Sequence, residues 1–162
     1  MFEWFFRGDH LELHINWREE LIEVKAYILL CEKLCSNLDD EITTREIENS
    51  LPHTIIPVNS VSSIHQVVQG IVHYVIYESR QRRIKNRGLL LAALILGFNQ
   101  INDLIENLKK HFETSPYYYL IGVNSKPGNL HKCSTLRQED FLKKPSTMNT
   151  LVKNVLIVTS LI

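Results

Sequence analysis

Residues 16–38 read NWREELIEVKAYILLCEKLCSNL, and the period assigned to this stretch decides the architecture. Its apolar residues fall at Trp17, Leu21, Val24, Ile28, Cys31, Cys35 and Leu38, in alternating steps of four and three that keep one face of an α-helix apolar. Asn16, followed three residues later by Glu19, matches a capping box. Glu19, Glu20 and Glu23 occupy the first turns, where the helix dipole favours acids, and Tyr27, Leu30 and Leu34 form a second stripe. The spacing predicts a helix of about six turns with a continuous apolar seam.

Upstream, Leu11, Leu13 and Ile15 alternate with His10, Glu12 and His14, the period of a short strand with one wet face. Downstream, Asp39-Asp40-Glu41 ends the helix, and Thr43 with Glu46 starts a short one that Pro52 closes. Residues 51–60, with Pro52 and Pro57 around Ile55 and Ile56, read as an extended connection and the best internal boundary. Ser63 with Gln66 starts a second helix whose face comprises Ile64, Val67, Val68, Ile71, Val72 and Val75 and which runs through the polar segment 78–85 to Gly88. Ile71–Tyr77 is almost wholly β-branched or aromatic and follows Gly70, so a strand there is the alternative.

Leu89–Phe98 continues into Ile101, Leu104, Ile105 and Leu108 as a third helix, the most buried, ending by Pro116. Tyr117–Val123 is a strand by composition, and Lys126-Pro127-Gly128-Asn129 suits a type II turn leading to a partner strand near Leu130–Leu136. Gln138–Lys144 forms one helical turn or two, and the apolar tail Thr150–Ile162 needs cover. The expected fold is mainly α: a bundle of about three long helices with a short N-terminal strand and a C-terminal β-hairpin. An α+β arrangement is the fallback if 71–77 is a strand. Residues 1–162 form a single domain, with a possible sub-boundary at 51–60.

The chain has 162 residues, 44% hydrophobic and 22% charged, enough for one core and too few for a large multi-domain enzyme. Its longest apolar stretch, Leu89–Phe98, is ten residues, short of the ~18–20 that cross a bilayer. An acid at Glu3 and a base at Arg7 interrupt the N-terminus too early for a signal-peptide core. Three cysteines, two of them on the helical seam, argue against a disulfide framework, and no Asn-x-Ser/Thr site occurs. A cytoplasmic or nuclear, reducing location follows as an expectation. The zero net charge divides unevenly: residues 1–60 carry 12 acids and 5 bases, residues 61–162 carry 6 acids and 13 bases. Opposite-charge surfaces attract partners of opposite sign, or the two halves face each other and cancel.

The run Arg80-Gln81-Arg82-Arg83-Ile84-Lys85-Asn86-Arg87 holds five cations, with Tyr77 just upstream. Such a density suits phosphate contact, with tyrosine stacking on bases, or an acidic protein partner; a solvated helix end is the ordinary alternative. Arg80, Arg82, Arg83, Lys85, Arg87 and Tyr77 are therefore the candidate binding residues, with Lys109, Lys110, Lys143 and Lys144 as supporting cations. His10, Glu12 and His14 are metal-ligand types, but strand spacing holds the two histidines about 13 Å apart, so no metal site is assigned. Cys31 and Cys35 lack the paired spacing of a zinc site and read as buried small hydrophobes, and His65 and His73 as histidines within an apolar segment. Six scattered glycines make no phosphate loop, and no nucleophile motif occurs, so neither a catalytic residue nor a cofactor is assigned. The expected function is a non-catalytic protein-interaction module: a small adaptor, a complex subunit, or an antitoxin- or immunity-type inhibitor. The alternative is a nucleic-acid-binding domain using 80–87, and a metal-assisted enzyme through His10, Glu12 and His14 is a third class.

Overall fold

The computed structural model describes residues 2–48, 50–80 and 84–142. Residues 11–32 form a β-hairpin, not a strand followed by a long helix. Strand β2 (Leu11–Trp17) turns at Arg18 and Glu19 into β3 (Glu20–Glu32), pairing Trp17 with Glu20 and Leu11 with Ala26. Both turn residues have positive φ, 50° and 67°, the pattern of a two-residue type I′ turn, whose twist suits paired strands. The helical seam is a coincidence of spacing. Ile22, Val24, Ala26 and Ile28 also sit at a period of two, and the last three of these are buried while Leu21 is 57% exposed. Asp39, Asp40 and Glu41 begin a helix instead of ending one: α1 (Leu38–Thr44) is capped by Asn37, whose side chain accepts from the Asp40 amide.

The sheet has six antiparallel strands in the order β1 (Phe2–Phe6), β2, β3, β5 (Tyr117–Val123), β4 (His53–Pro57), with β6 (Cys133–Thr135) paired to β3 beyond the end of β2. This replaces the expected mainly helical bundle. Residues 51–60 supply β4, all five of whose residues are buried, and a 3-10 turn at Val58–Ser60. Helix α2 (Ile64–Tyr77) starts where the sequence places it, and 71–77 is helical, but it stops at Tyr77, well short of Lys85. The expected third helix is two. Gly97, at φ 79°, closes α3 (Arg87–Leu96), and α4 (Ile101–Thr114) departs at 77° to it. Gly88 lies in the first turn of α3, not at a helix end; a Cβ there would come within 2.3 Å of the His53 carbonyl oxygen. A second close approach joins α2 to α3, where a Cβ on Gly70 would meet the Ile95 backbone at 2.5 Å.

The expected 117–136 hairpin is absent too. Gly128 lacks the positive φ that a type II turn requires, and the chain crosses over so that β6 pairs with β3. That pairing sets Cys31 directly opposite Cys133, 102 residues apart, and the two are disulfide-bonded. The helical assignment hid this partnership, because it placed Cys31 beside Cys35. Cys35 is the free thiol. Helix α5 (Gln138–Leu142) fits the expected one or two turns over its described length; Lys143, Lys144 and the apolar tail lie outside the described residues.

One sheet face carries Leu11, Leu13, Ile15, Val24, Ala26, Ile28 and Ile121, all buried, and Trp17 on this face meets Tyr77 of α2. At the β5–β4 end the other face is covered as well, Phe112 of α4 packing on Tyr118. Beneath it lies a buried polar cluster. The Glu41 carboxylate accepts from the amides of Leu34 (2.9 Å) and Cys35 (2.7 Å) and from the Tyr118 hydroxyl. Arg45 donates to that hydroxyl and to the carbonyls of Glu32, Asn129 and His131. Burial, with the bond to Glu41 adding to it, pushes the Tyr118 phenol well up, so it stays a donor. This cluster fastens α1 to the ends of β3 and β5.

Candidate interaction surfaces

Helices cover both sheet faces at the β4–β5 end, but among the described residues the outward side of the β1–β2–β3 meander is a wet face. Register determines its membership: Glu3 and Phe5 from β1, Glu12 and His14 from β2, and Leu21, Glu23, Lys25 and Tyr27 from β3. Phe5 is 39% exposed, and Glu3, Glu23 and Lys25 are exposed. Glu12 is the hub. Its carboxylate oxygens lie 3.0 Å from His14 Nε2 and 3.3 Å from Arg7 Nε. The His14 bond, with the Arg7 charge behind it, holds the Glu12 carboxyl below its usual value against a smaller opposing effect of burial. His14 also lies 4.0 Å from Glu23 and meets the Phe5 ring edge-on.

His10 turns to a different partner, donating to Asp9 at 2.8 Å. That bond and the Lys126 ammonium, 3.2 Å away, lower the Asp9 carboxyl. His10, Glu12 and His14 thus belong to two separate pairings, and among the described residues no group of three or more His, Cys, Asp or Glu side chains is arranged to hold a metal ion.

Among the described residues of the basic run, Arg80 lies beyond the end of α2, residues 84–86 are not helical and Arg87 opens α3, so they are not the last turns of α2. Arg80, Lys85 and Arg87 are exposed; Arg82 and Arg83 lie outside the described residues. Arg87 pairs with Glu78 at 3.2 Å, so part of its charge is met locally. Tyr77 stands edge-on to Trp17, centroids 5.9 Å apart, and near His73, and so packs on the protein. Arg80 and Lys85 thus stand between α2 and α3, Arg87 opens α3, and Tyr77 ends α2. Lys109 of the supporting cations pairs with Asp39 at 3.3 Å and Lys126 with Asp9, so two acids of the first 60 residues meet bases of the rest. The opposite charges of the two halves thus partly meet in pairs at the surface.

Two features have no sequence signal. A cavity of about 280 Å³ lies between α1, α4, β4 and the start of α3, lined by Leu38, Ile42, Ile55 and Leu108 with His53 and Asn86 at its polar side. Those polar groups are engaged: Asn86 caps α3 through the Leu89 amide, and His53 Nε2 is 3.1 Å from the Ser125 carbonyl oxygen. Burial holds the His53 imidazole below its ordinary value. The other feature is the open face itself, whose residues are spread over three strands and become neighbours only through the register. Among the described residues no single helix is long and apolar enough to cross a membrane. No protein-family model matches the chain, and no curated protein matches it either.

Proposed function

We propose that the protein is a non-catalytic interaction module, an adaptor, complex subunit or inhibitor, that binds a protein partner through the open face of the β1–β2–β3 meander. The observation that carries this reading is the exposed set of Glu3, Glu23, Lys25 and Leu21 beside Phe5, on the end of the sheet where, among the described residues, one face lacks helical cover. Charges of both signs around scattered apolar groups supply what a docking face needs, charge for orientation and area for burial. Purification from the native host of the parent chain beside Leu21→Lys/Glu23→Lys tests it. Partners retained by the parent and lost by the variant support the reading; an unchanged set of partners removes it.

The alternative is nucleic-acid binding through the 80–87 segment, favoured by the exposure of Arg80, Lys85 and Arg87. It requires salt-dependent retention on nucleic acid that Arg82→Ala/Arg83→Ala/Lys85→Ala weakens. As to compartment, the odd cysteine number and the missing glycosylation sequon favour a reducing interior, while the Cys31–Cys133 bridge favours an oxidising one. Thiol counting on protein isolated without reductant separates the two.

A further inference from the structure

Among the described residues strand β1 is an edge of the sheet, and its backbone is left half unpaired in a defined pattern. Arg7 donates from its amide to the His10 carbonyl, making Arg7 and His10 a hydrogen-bonded pair in the same register that matches Phe6 with Leu11. Antiparallel pairs alternate, so Phe5–Glu12 and Glu3–His14 are also hydrogen-bonded pairs, and Phe2, Trp4 and Phe6 direct their N–H and C=O groups away from β2. Those outward groups form a pairing template with aromatic side chains and no proline or lysine to blunt it.

We propose that two copies of this chain join through β1, antiparallel and centred on Phe5, extending the sheet across both protomers. The alternation and the charges select this register. Outward-facing residues must pair with outward-facing residues, which leaves registers centred on Glu3, Trp4 or Phe5. The first opposes Glu3 to its own copy. The second places Glu3 beside Phe5 and gains nothing from its charge. The third sets Trp4 against the partner copy's Phe6, twice by symmetry, as hydrogen-bonded pairs. It also sets Glu3 against the second copy's Arg7, twice, as close non-hydrogen-bonded pairs, with Phe5 on its symmetry mate at the axis. Phe5 and Arg7 are already neighbours, the guanidinium 5.6 Å from the ring centroid, and Arg7, paired with Glu12 at 3.3 Å, is 57% exposed, so its guanidinium has room to turn toward the second copy. On the covered face, Trp4 and Phe6 both rest on Phe141 at about 6 Å, a rigid base for the paired strands. The contact is short, so the dimer is reversible and concentration-dependent. It uses the rim of the meander and stands whether or not the open face binds a partner.

Sedimentation velocity on the full chain, at concentrations up to about 0.5 mM, is the test. The parent is expected to pass from monomer to dimer. Glu3→Arg opposes two like charges at two symmetric places and should weaken the dimer about tenfold or more. Glu3→Arg/Arg7→Glu restores the opposition and should recover most of the affinity, with circular dichroism showing each variant folded. Amide exchange supplies an independent readout: Trp4 and Phe6 amides become protected on dimerisation, while those of Glu3, Phe5 and Arg7 are protected throughout. A parent that remains monomeric overturns the proposal. So does a dimer indifferent to Glu3→Arg, or one that leaves the Trp4 and Phe6 amides exchanging freely.

Discussion

Replacing Arg18 with Asn and Glu19 with Gly should stabilise the protein, and the sign of the effect separates a hairpin from a helix. Both residues have positive φ, 50° and 67°. An L-residue in the left-handed region costs roughly 1–2 kcal/mol, which glycine avoids and asparagine reduces. Set against that gain is the larger entropy that glycine loses on folding, up to ~1 kcal/mol. The net expectation is a gain of about 1 kcal/mol. Within a helix spanning 16–38 the same pair of changes would cost about 1.5 kcal/mol, roughly 1 for glycine and 0.5 for asparagine. Urea unfolding followed by circular dichroism resolves the two. With a slope near 2 kcal/mol per molar, the midpoint rises by about 0.5 M for a hairpin and falls by about 0.7 M for a helix. A lower midpoint with an unchanged slope would refute the turn and the sheet built on it.

Three further outcomes follow from the interior. Glu41→Gln leaves Arg45 buried without its carboxylate and should cost about 3–5 kcal/mol, while Tyr118→Phe, which removes only the hydroxyl shared between them, should cost about 1.5–3 kcal/mol; chemical denaturation that reverses this order contradicts the cluster. His53 and His73 both have imidazoles lowered by burial, so below the ordinary histidine value of 6.5 the unfolded chain binds protons that the folded one does not. Melting temperature should hold above about pH 7 and fall as pH drops through 6.5, a decline that His53→Gln/His73→Gln should flatten. Non-reducing peptide mapping of oxidised protein should join the Cys31 and Cys133 peptides and leave Cys35 to alkylate; bridging through Cys35 instead would contradict the pairing of β6 with β3.

What the sequence discloses is local, and what it hides depends on partners. Leu11–Ile15 and Tyr117–Val123 are legible as strands because alternation or β-branched and aromatic composition is written into each, and Ser63 marks the start of α2. Residues 16–38 mislead because leucine, alanine and glutamate at mixed intervals satisfy two periods at once, and a hairpin turn made of Arg18 and Glu19 has no glycine or asparagine to announce it. His53–Pro57 reads as a linker because two prolines flank it, yet edge position lets a strand tolerate a proline whose missing N–H faces no neighbour. The break at Gly97 was visible as a lone glycine, and the apolar run continuing past it concealed the bend. The candidate surface is the least legible part. The cations of 80–87 cluster in the chain, whereas Glu3, Phe5, Glu12, His14, Leu21 and Glu23 come from three separate segments and meet only across paired strands.

The proposed partner sits on the open face of the meander. A photo-crosslinking residue at Leu21, which is 57% exposed on that face, tests this directly when compared with one at Glu106, exposed on α4. Irradiation in the native host should give discrete protein adducts from position 21 and none of the same adducts from position 106. Equal adducts from both positions, or none from position 21, would contradict the account.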